Sequence, residues 1–301
     1  MTLLPAAARR RGTAPRRRAG AAAEPVGSNP AWRLLRKLTA VAIGLLFLVP
    51  FYITVVTSLG PQDQQNIYPR DLLPRWDWAN YSFAWSQQPW ARLMLNTLLI
   101  ASCTVLLCLV TSALAGFAFG VLRFPGKRAL TVTVAAVLMM PTIVLIVPDY
   151  VLAYDIHLVN TYWIQIIPFG ASVFGIFLVR QFLVTMPQEL LDAASLDGAG
   201  RVRVLWHICL PLVRPALVII AINAFMASWN AFLWPDVMTV GNPSVQPIEV
   251  GLFTFIGEQG TNYPALAAAC TFTSLPVLVF FLVLQRQFIR GALSAAGGLR
   301  G

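Results

Sequence analysis

Six apolar stretches, each long enough to cross a bilayer as a helix, recur along this chain of 301 residues and leave few other folds open. They occupy residues 38–59, 93–119, 129–150, 162–182, 208–233 and 265–284. A helix needs ~20 residues to cross ~30 Å of hydrocarbon, and each stretch reaches that length. Pro50, Pro141, Pro168 and Pro276 fall within them. A soluble helix would break there, whereas in a membrane neighbouring helices can satisfy the freed carbonyls. No alternation of period two competes, which excludes a barrel. With 57% hydrophobic and 11% charged residues, the chain has too little charge to clothe a soluble domain of this size. The expected fold is an all-α polytopic membrane protein with six transmembrane helices.

The net charge of +10 is distributed in a way that sets orientation. Arg9, Arg10, Arg11, Arg16, Arg17, Arg18, Arg33, Arg36 and Lys37 all precede the first apolar core. With the N-terminus in the cytoplasm, all but three of the 22 Lys and Arg fall on the inner side; Arg70, Arg75 and Arg92 fall outside. Both termini are therefore expected to be cytoplasmic. Residues 1–31, rich in Ala, Pro, Gly and Arg, read as a disordered basic tail, and 32–301 as the membrane domain. The first apolar run is longer than a signal-peptide core and lacks a small-residue cleavage site. Nucleic acid is not an expected partner, because the basic tract has no aromatic residue before Trp32 and joins no recognition motif.

Catalytic and metal chemistry find no foothold in the pattern. The four cysteines, Cys103, Cys108, Cys209 and Cys270, lie in apolar spans without metal spacing. His157 and His207 have no second ligand at a suitable spacing. A phosphate-binding lysine loop, a nucleophile elbow and a glycine-rich strand–turn–helix are all missing. The span centres also carry no charge, which counts against an ion-coupled secondary carrier. Outside, residues 60–90 hold Trp76, Trp78, Tyr81, Trp85 and Trp90 with Asp63, Asp71 and Asp77. They suit an interfacial belt with short surface helices, or a stacking platform for sugar. The loop 235–264 carries Asp236, Glu249 and Glu258 but no Lys or Arg, an acidic surface for a basic partner.

One polar, glycine-punctuated segment, residues 187–211, interrupts the apolar pattern on the cytoplasmic side. Pro187 suits a first helical position, and Glu189 adds negative charge at the positive helix end. Leu190, Leu191, Ala194 and Ser195 broadly share a face, beside Glu189 and Asp192. Gly198 and Gly200 allow the chain to turn, and a second short helix over 201–207 leads through Leu210-Pro211 into the fifth span. A ten-residue helix is marginal alone and needs something to pack on. Lipid headgroups or a docked protein would serve; Asp192 and Asp197 favour the protein, since a lipid-bound helix prefers Lys and Arg.

The order Asp192-Ala193-Ala194, three residues, Gly198, nine residues, Ile208-x-Leu210-Pro211 resembles the "EAA" loop of ABC importer permeases, with Asp192 where Glu is commoner. The likeness extends over 32–301. It includes Thr57-Ser58-Leu59, Leu95-Asn96-Thr97-Leu98, Arg123-Phe124-Pro125-Gly126-Lys127 and Phe177-Leu178-Val179-Arg180-Gln181-Phe182. It also includes Ser228-Trp229-Asn230-Ala231-Phe232-Leu233-Trp234-Pro235 and Leu284-Gln285-Arg286-Gln287-Phe288. Together these resemble the carbohydrate-uptake branch, of the second-permease type found in the maltose importer.

That resemblance implies a type I ABC importer permease fold in a bacterial inner membrane. Its expected partners are a second homologous permease subunit, two cytosolic ABC ATPase subunits and an extracytoplasmic solute-binding protein, free or lipid-anchored. The chain itself would bind no cofactor, since ATP and Mg sit on the ATPases. Glu189, Leu190, Leu191, Asp192, Ala193, Ala194, Asp197, Gly198, Ala199, Ile208, Leu210 and Pro211 would form the ATPase-coupling segment. Asn223, Ser228, Trp229 and Asn230 either line a solute path or hold helices together, two roles the residue types serve equally. A sugar or polyol is the expected cargo. A glycerol-phosphate importer is the alternative, ahead of an ion-coupled carrier or a membrane enzyme.

Overall fold

The structure, a computed structural model, describes residues 30–63, 73–137, 139–257 and 260–297, without the side chains of Thr142 and residues 283–297. Expectations for residues 1–29, for Arg70, Asp71 and Glu258, and for the side chains of 284–288 lie outside that set. The chain divides into two compact units, residues 1–51 and 52–301. The first contains most of helix α1 (Pro30–Ser58), whose Pro50 does not interrupt it. Beyond Arg33, Arg36 and Lys37 in its first turns, its residues from Leu38 on are predominantly apolar on every face, as in a membrane-spanning helix.

The second unit holds the remaining elements. They begin with the short α2 (Ala79–Gln87) and the long α3 (Trp90–Gly120), followed by α4 (Lys127–Val137) and α5 (Ile146–Asp155). Next come α6 (Trp163–Ile166), α7 (Val173–Val184), α8 (Gln188–Leu196) and α9 (Arg201–Val204). After a π turn at Leu205–Cys209 the chain continues as α10 (Leu210–Leu212), α11 (Arg214–Trp229), α12 (Leu233–Met238) and α13 (Ile248–Phe253). A two-residue ladder, β1 (Ile256–Gly257) with β2 (Gly260–Thr261), precedes α14 (Tyr263–Gly297).

Among the described residues, four segments are long and apolar enough to span: Pro30–Ser58, Trp90–Gly120, Trp163–Val184 and Tyr263–Leu282. A fifth forms if Arg201–Leu212 and Arg214–Trp229, bent by 76°, count as one. The stretch expected as a third span, 129–150, is not a single helix. It divides into α4 and α5, with the 3₁₀ turn Thr142–Leu145 between them. Pro141, at φ −70° and ψ 116°, lacks an N–H and stands outside helical geometry, so the helix does not run through it. At 1.5 Å per residue each piece is only ~16 Å long, about half the hydrocarbon thickness.

Packing is organised by α3, which lies against α7 and α11; α11 in turn lies against α14, and α14 against α2. Small residues set the closeness of α3 and α7. Ser112, Gly116 and Gly120, four residues apart, face Gly175, Val179 and Leu183. A Cβ built on Gly116 would lie 2.5 Å from Val179 Cγ1, and one on Gly120 would lie 2.9 Å from Leu183 Cβ. This is the small-residue stripe by which membrane helices gain van der Waals contact in the absence of a hydrophobic drive.

Side-chain amides fix the connections. Asn96 Nδ2 donates to the carbonyls of Ser244 (2.9 Å) and Gln246 (2.8 Å), and Tyr162 Oη donates to Asn96 Oδ1 at 2.7 Å. Next to it, Thr97 Oγ1 accepts from Ile248 N at 2.8 Å. The Asn-Thr pair noted in the sequence thus pins residues 244–248 onto α3. Asn80 Nδ2 does the same for the end of α1, donating to the carbonyls of Ser58 (3.1 Å) and Gly60 (2.8 Å).

Candidate functional site

Two places in the second unit stand out: the exposed helix α8 with its turn, and a cavity lined from α3, α6, α11 and α12.

Helix α8 begins at Gln188, so Pro187 caps it from outside, at φ −56° and ψ 129°, rather than filling its first turn. It ends in a Schellman arrangement. Gly198 N–H donates to Ser195 O at 3.1 Å and Ala199 N–H to Ala194 O at 2.9 Å, with Gly198 at φ +70°. The left-handed residue has to be there to close both bonds, which accounts for the glycine. Ala194 is buried in a cluster with Val204, Leu205 and Cys209, and Leu191 and Ala199 pack on that cluster. These three residues therefore attach the helix to its own chain. Glu189, Leu190, Asp192, Ala193, Asp197 and Gly198 are exposed. So is Leu196, at 89% the most exposed large apolar side chain of the segment. Leu196 follows Ala194 by two residues, a rotation of about 200°, which puts it on the face opposite the Leu190–Ala194 stripe and outside a reading of that stripe.

The stretch expected as a second short helix over 201–207 contains a π turn. Leu210 N–H reaches back five residues to Leu205 O. Pro211, having no N–H, cannot make the next bond, and the wider turn accommodates it. Ile208 and Leu210 pack against the same cluster as Ala194. The chain then bends at Val213, and Pro215 opens α11.

The cavity, about 270 Å³, is lined by residues of four elements. Of the four path candidates it takes in Asn223 and Ser228. Trp229 is instead buried at the end of α11, its ring stacked on Phe225 with centroids 5.6 Å apart. Asn230 lies outside the lining as well, its Nδ2 donating to Met226 O at 2.8 Å as a helix stop. Two other aromatics reach the cavity, Phe169 and Trp234; Trp234 is held by Nε1 donation to Ile164 O (3.0 Å) and by an edge-on contact with Phe169. Thr104, Gln165 and Ser172 join them. Gln165 was readable as an amide within an apolar span, and Trp234 stood in the quoted tryptophan run. Thr104 had no signal among the other span threonines.

The break between α6 and α7 shapes one wall. Pro168 sits in the 3₁₀ turn Ile167–Phe169. The carbonyls of Phe169 and Gly170 are taken up by Cys108 Sγ (2.9 Å) and Thr111 Oγ1 (2.7 Å) of α3. Elsewhere in the unit Trp90, expected in the interfacial belt, is buried, with Nε1 donating to Ala84 O at 2.7 Å. Trp76, Trp78 and Trp85 stay exposed. Burial raises the Glu249 carboxyl above its ordinary pKa.

Residues 112–293 match the model of the binding-protein-dependent transport system inner membrane component family. The chain belongs to that family. Among curated members, the arabinooligosaccharides transport system permease protein AraQ of Bacillus subtilis (strain 168) is 29% identical over 278 residues, covering 90% of this chain and 96% of the relative. The sn-glycerol-3-phosphate transport system permease protein UgpE of Yersinia pestis bv. Antiqua (strain Antiqua) is 32% identical over 256 residues, covering 82% and 91%. A chain from the crystal structure of a bacterial ABC transporter that imports the acidic polysaccharide alginate superposes with a TM-score of 0.70 at 19% identity, covering 86% of this chain and 98% of that one. At that identity the likeness is one of fold: this member of the inner membrane component family shares the importer permease architecture and is a multi-pass membrane protein.

Proposed function

We propose that this chain is the permease subunit of an ATP-driven, binding-protein-dependent importer of sugars or related polyols, forming half of the translocation pathway beside a second, similar permease. The observation that carries the reading is the family match joined to near full-length similarity to an arabinooligosaccharide permease. The uncharged cavity supports a neutral cargo. The similarity to a glycerol-phosphate permease keeps that ester as the second reading; a phosphate would call for a cationic group from the partner permease.

In this reading α8 is the coupling helix. It lies in a groove of a cytosolic ATPase that supplies ATP and Mg, and an extracytoplasmic binding protein delivers the cargo. Leu190, Ala193 and Leu196 offer apolar contact, while Glu189, Asp192 and Asp197 offer charge to a basic or polar groove; Ala194, Leu191 and Ala199 anchor the helix from behind. To swing a two-state pathway from 1:99 to 99:1 requires about 5.5 kcal/mol of differential binding, which ATP and a protein interface supply together.

Vesicles holding the two permeases and the ATPases, with the binding protein on the outside, test this. Uptake of arabinotriose or raffinose is expected to require both ATP and the binding protein. Gly198→Asp or Asp192→Lys is expected to abolish uptake while insertion persists. A Cβ at Gly198 meets nothing within 4 Å, so the fold bears only the left-handed backbone cost of ~1–2 kcal/mol. Normal transport by the Gly198→Asp complex with both ATPases bound would refute the coupling role.

A further inference from the structure

The ends of α3 and α7 and the start of α4 bring three cations together on the side of the unit that carries α8. Arg180 belongs to the Trp163–Val184 span, four residues before its end. Its backbone rests on the small-residue stripe of α3: a Cβ on Gly116 would lie 3.2 Å from Arg180 N, and one on Gly120 3.6 Å from Arg180 O. Past Gly120 the chain turns through Arg123-Phe124-Pro125-Gly126, with the Phe124 ring against Phe119 (centroids 6.3 Å apart) and Gly126 at φ +78°. Helix α4 then starts at Lys127 and lies beside α7. Lys127 Nζ donates to Leu122 O at 2.8 Å, which holds the ammonium at the turn.

Among the described residues no carboxylate pairs with Arg123, Lys127 or Arg180. The Arg180 Nε is buried without a partner, while its Nη groups stay accessible and unbonded. Partial burial, and then repulsion from the Arg180 and Arg123 guanidiniums, hold Lys127 below the usual lysine pKa, so the three charges feel one another. Like charges gathered in this way are relieved by an anion. The bilayer names its source. At 1.5 Å per residue Arg180 lies ~6 Å inside the end of its span, a depth that lipid headgroups reach and that an acidic loop of a soluble protein does not. From the cations α4 runs on with exposed Leu130, Val132 and Val137, an apolar surface that suits acyl chains. Basic pockets between transmembrane helices take anionic headgroups in this manner.

We propose that Arg123, Lys127 and Arg180 form a site for the phosphate of an anionic phospholipid whose acyl chains lie along α4. The Nη groups of the two arginines donate charge-assisted hydrogen bonds to the phosphate oxygens, and the Lys127 ammonium adds a point charge while keeping its bond to Leu122 O. The site requires only that the chain spans a membrane, so it stands apart from the choice of cargo.

The full chain, purified in detergent with the subunits that accompany it, is mixed with equal amounts of phosphatidylglycerol and phosphatidylcholine of the same acyl chains. Native mass spectrometry then counts the lipids retained. Wild type is expected to keep phosphatidylglycerol in preference by roughly tenfold or more, and each cation removed is expected to cut that preference about fivefold. Arg180→Gln tests the buried member; Arg123→Gln with Lys127→Gln tests the turn, outside the helix contact, in case the first variant fails to fold. Arg201→Gln with Arg203→Gln removes two exposed cations of α9 and is expected to leave the preference intact. Equal retention of the two lipids by wild type, an unchanged preference in the cluster variants, or an equal fall in the α9 variant would each overturn the site. Inorganic phosphate in excess is expected not to displace the lipid; displacement would make the ligand a soluble anion and the lipid assignment wrong. If Arg123→Gln with Lys127→Gln sheds a subunit while the lipid count holds, the cations bind a protein instead.

Discussion

A single carboxyl in this chain reports on its surroundings through pH. Glu249 follows Pro247-Ile248 at the start of α13, where burial raises its pKa above the usual carboxylate value. The native state therefore binds this proton more tightly than the unfolded chain does. Stability conferred by the neutral form is fully present at low pH and declines as pH rises from the unfolded value through the raised native one. At pH 8 Glu249→Gln is expected to melt higher than wild type in detergent, and the gain is expected to shrink toward pH 4.5. A gain independent of pH would mean that the carboxyl's charge is not what costs stability. Residues also mark the limit of sequence reading. Trp229 and Trp234 are five apart in one motif, yet the helix stops at Asn230, so the first is buried in the core and the second lines the cavity. Composition cannot tell such neighbours apart, because the difference arises from where the backbone turns.

Between elements, the closest fit is that of α3 on α7. Gly116→Ala places a methyl within 2.5 Å of Val179 Cγ1, in a contact between backbones that side-chain rotation alone does not relieve. Overpacking of this kind is expected to cost ~1–3 kcal/mol, and Val179→Ala in the same chain is expected to restore part of it. Thermal melts of the two single variants and the double variant measure the coupling, and strict additivity would show that the two do not touch. Much at this scale was legible in the sequence. The apolar runs of α1, α3 and α14 fixed themselves by length, and the α8 turn by its glycine. The stretch 129–150 was not legible, because hydropathy counts apolar residues and is blind to a backbone interrupted at Pro141. The π turn before Pro211 was hidden for the same reason: one missing N–H alters the hydrogen-bond register without altering composition.

For the molecule as a whole, the distribution of Lys and Arg leads to an orientation that two fusions would test. A phosphatase that matures only outside the membrane is expected to stay silent when joined after Gly200 and to become active when joined after Asn242. The reverse pattern would turn α8 away from the ATPases and end the coupling reading. Function divides along the same axis: exposed carboxylates and leucines surround α8, and an uncharged cavity lies between α3 and α11. The 76° bend at Val213 joins the two. In mechanical terms the joint is a crank. Only about a quarter of a push along the 201–212 arm projects onto the axis of α11, and the rest acts across it, so a nudge delivered at the turn after α8 would emerge as a sideways swing of the wall bearing Asn223 and Ser228.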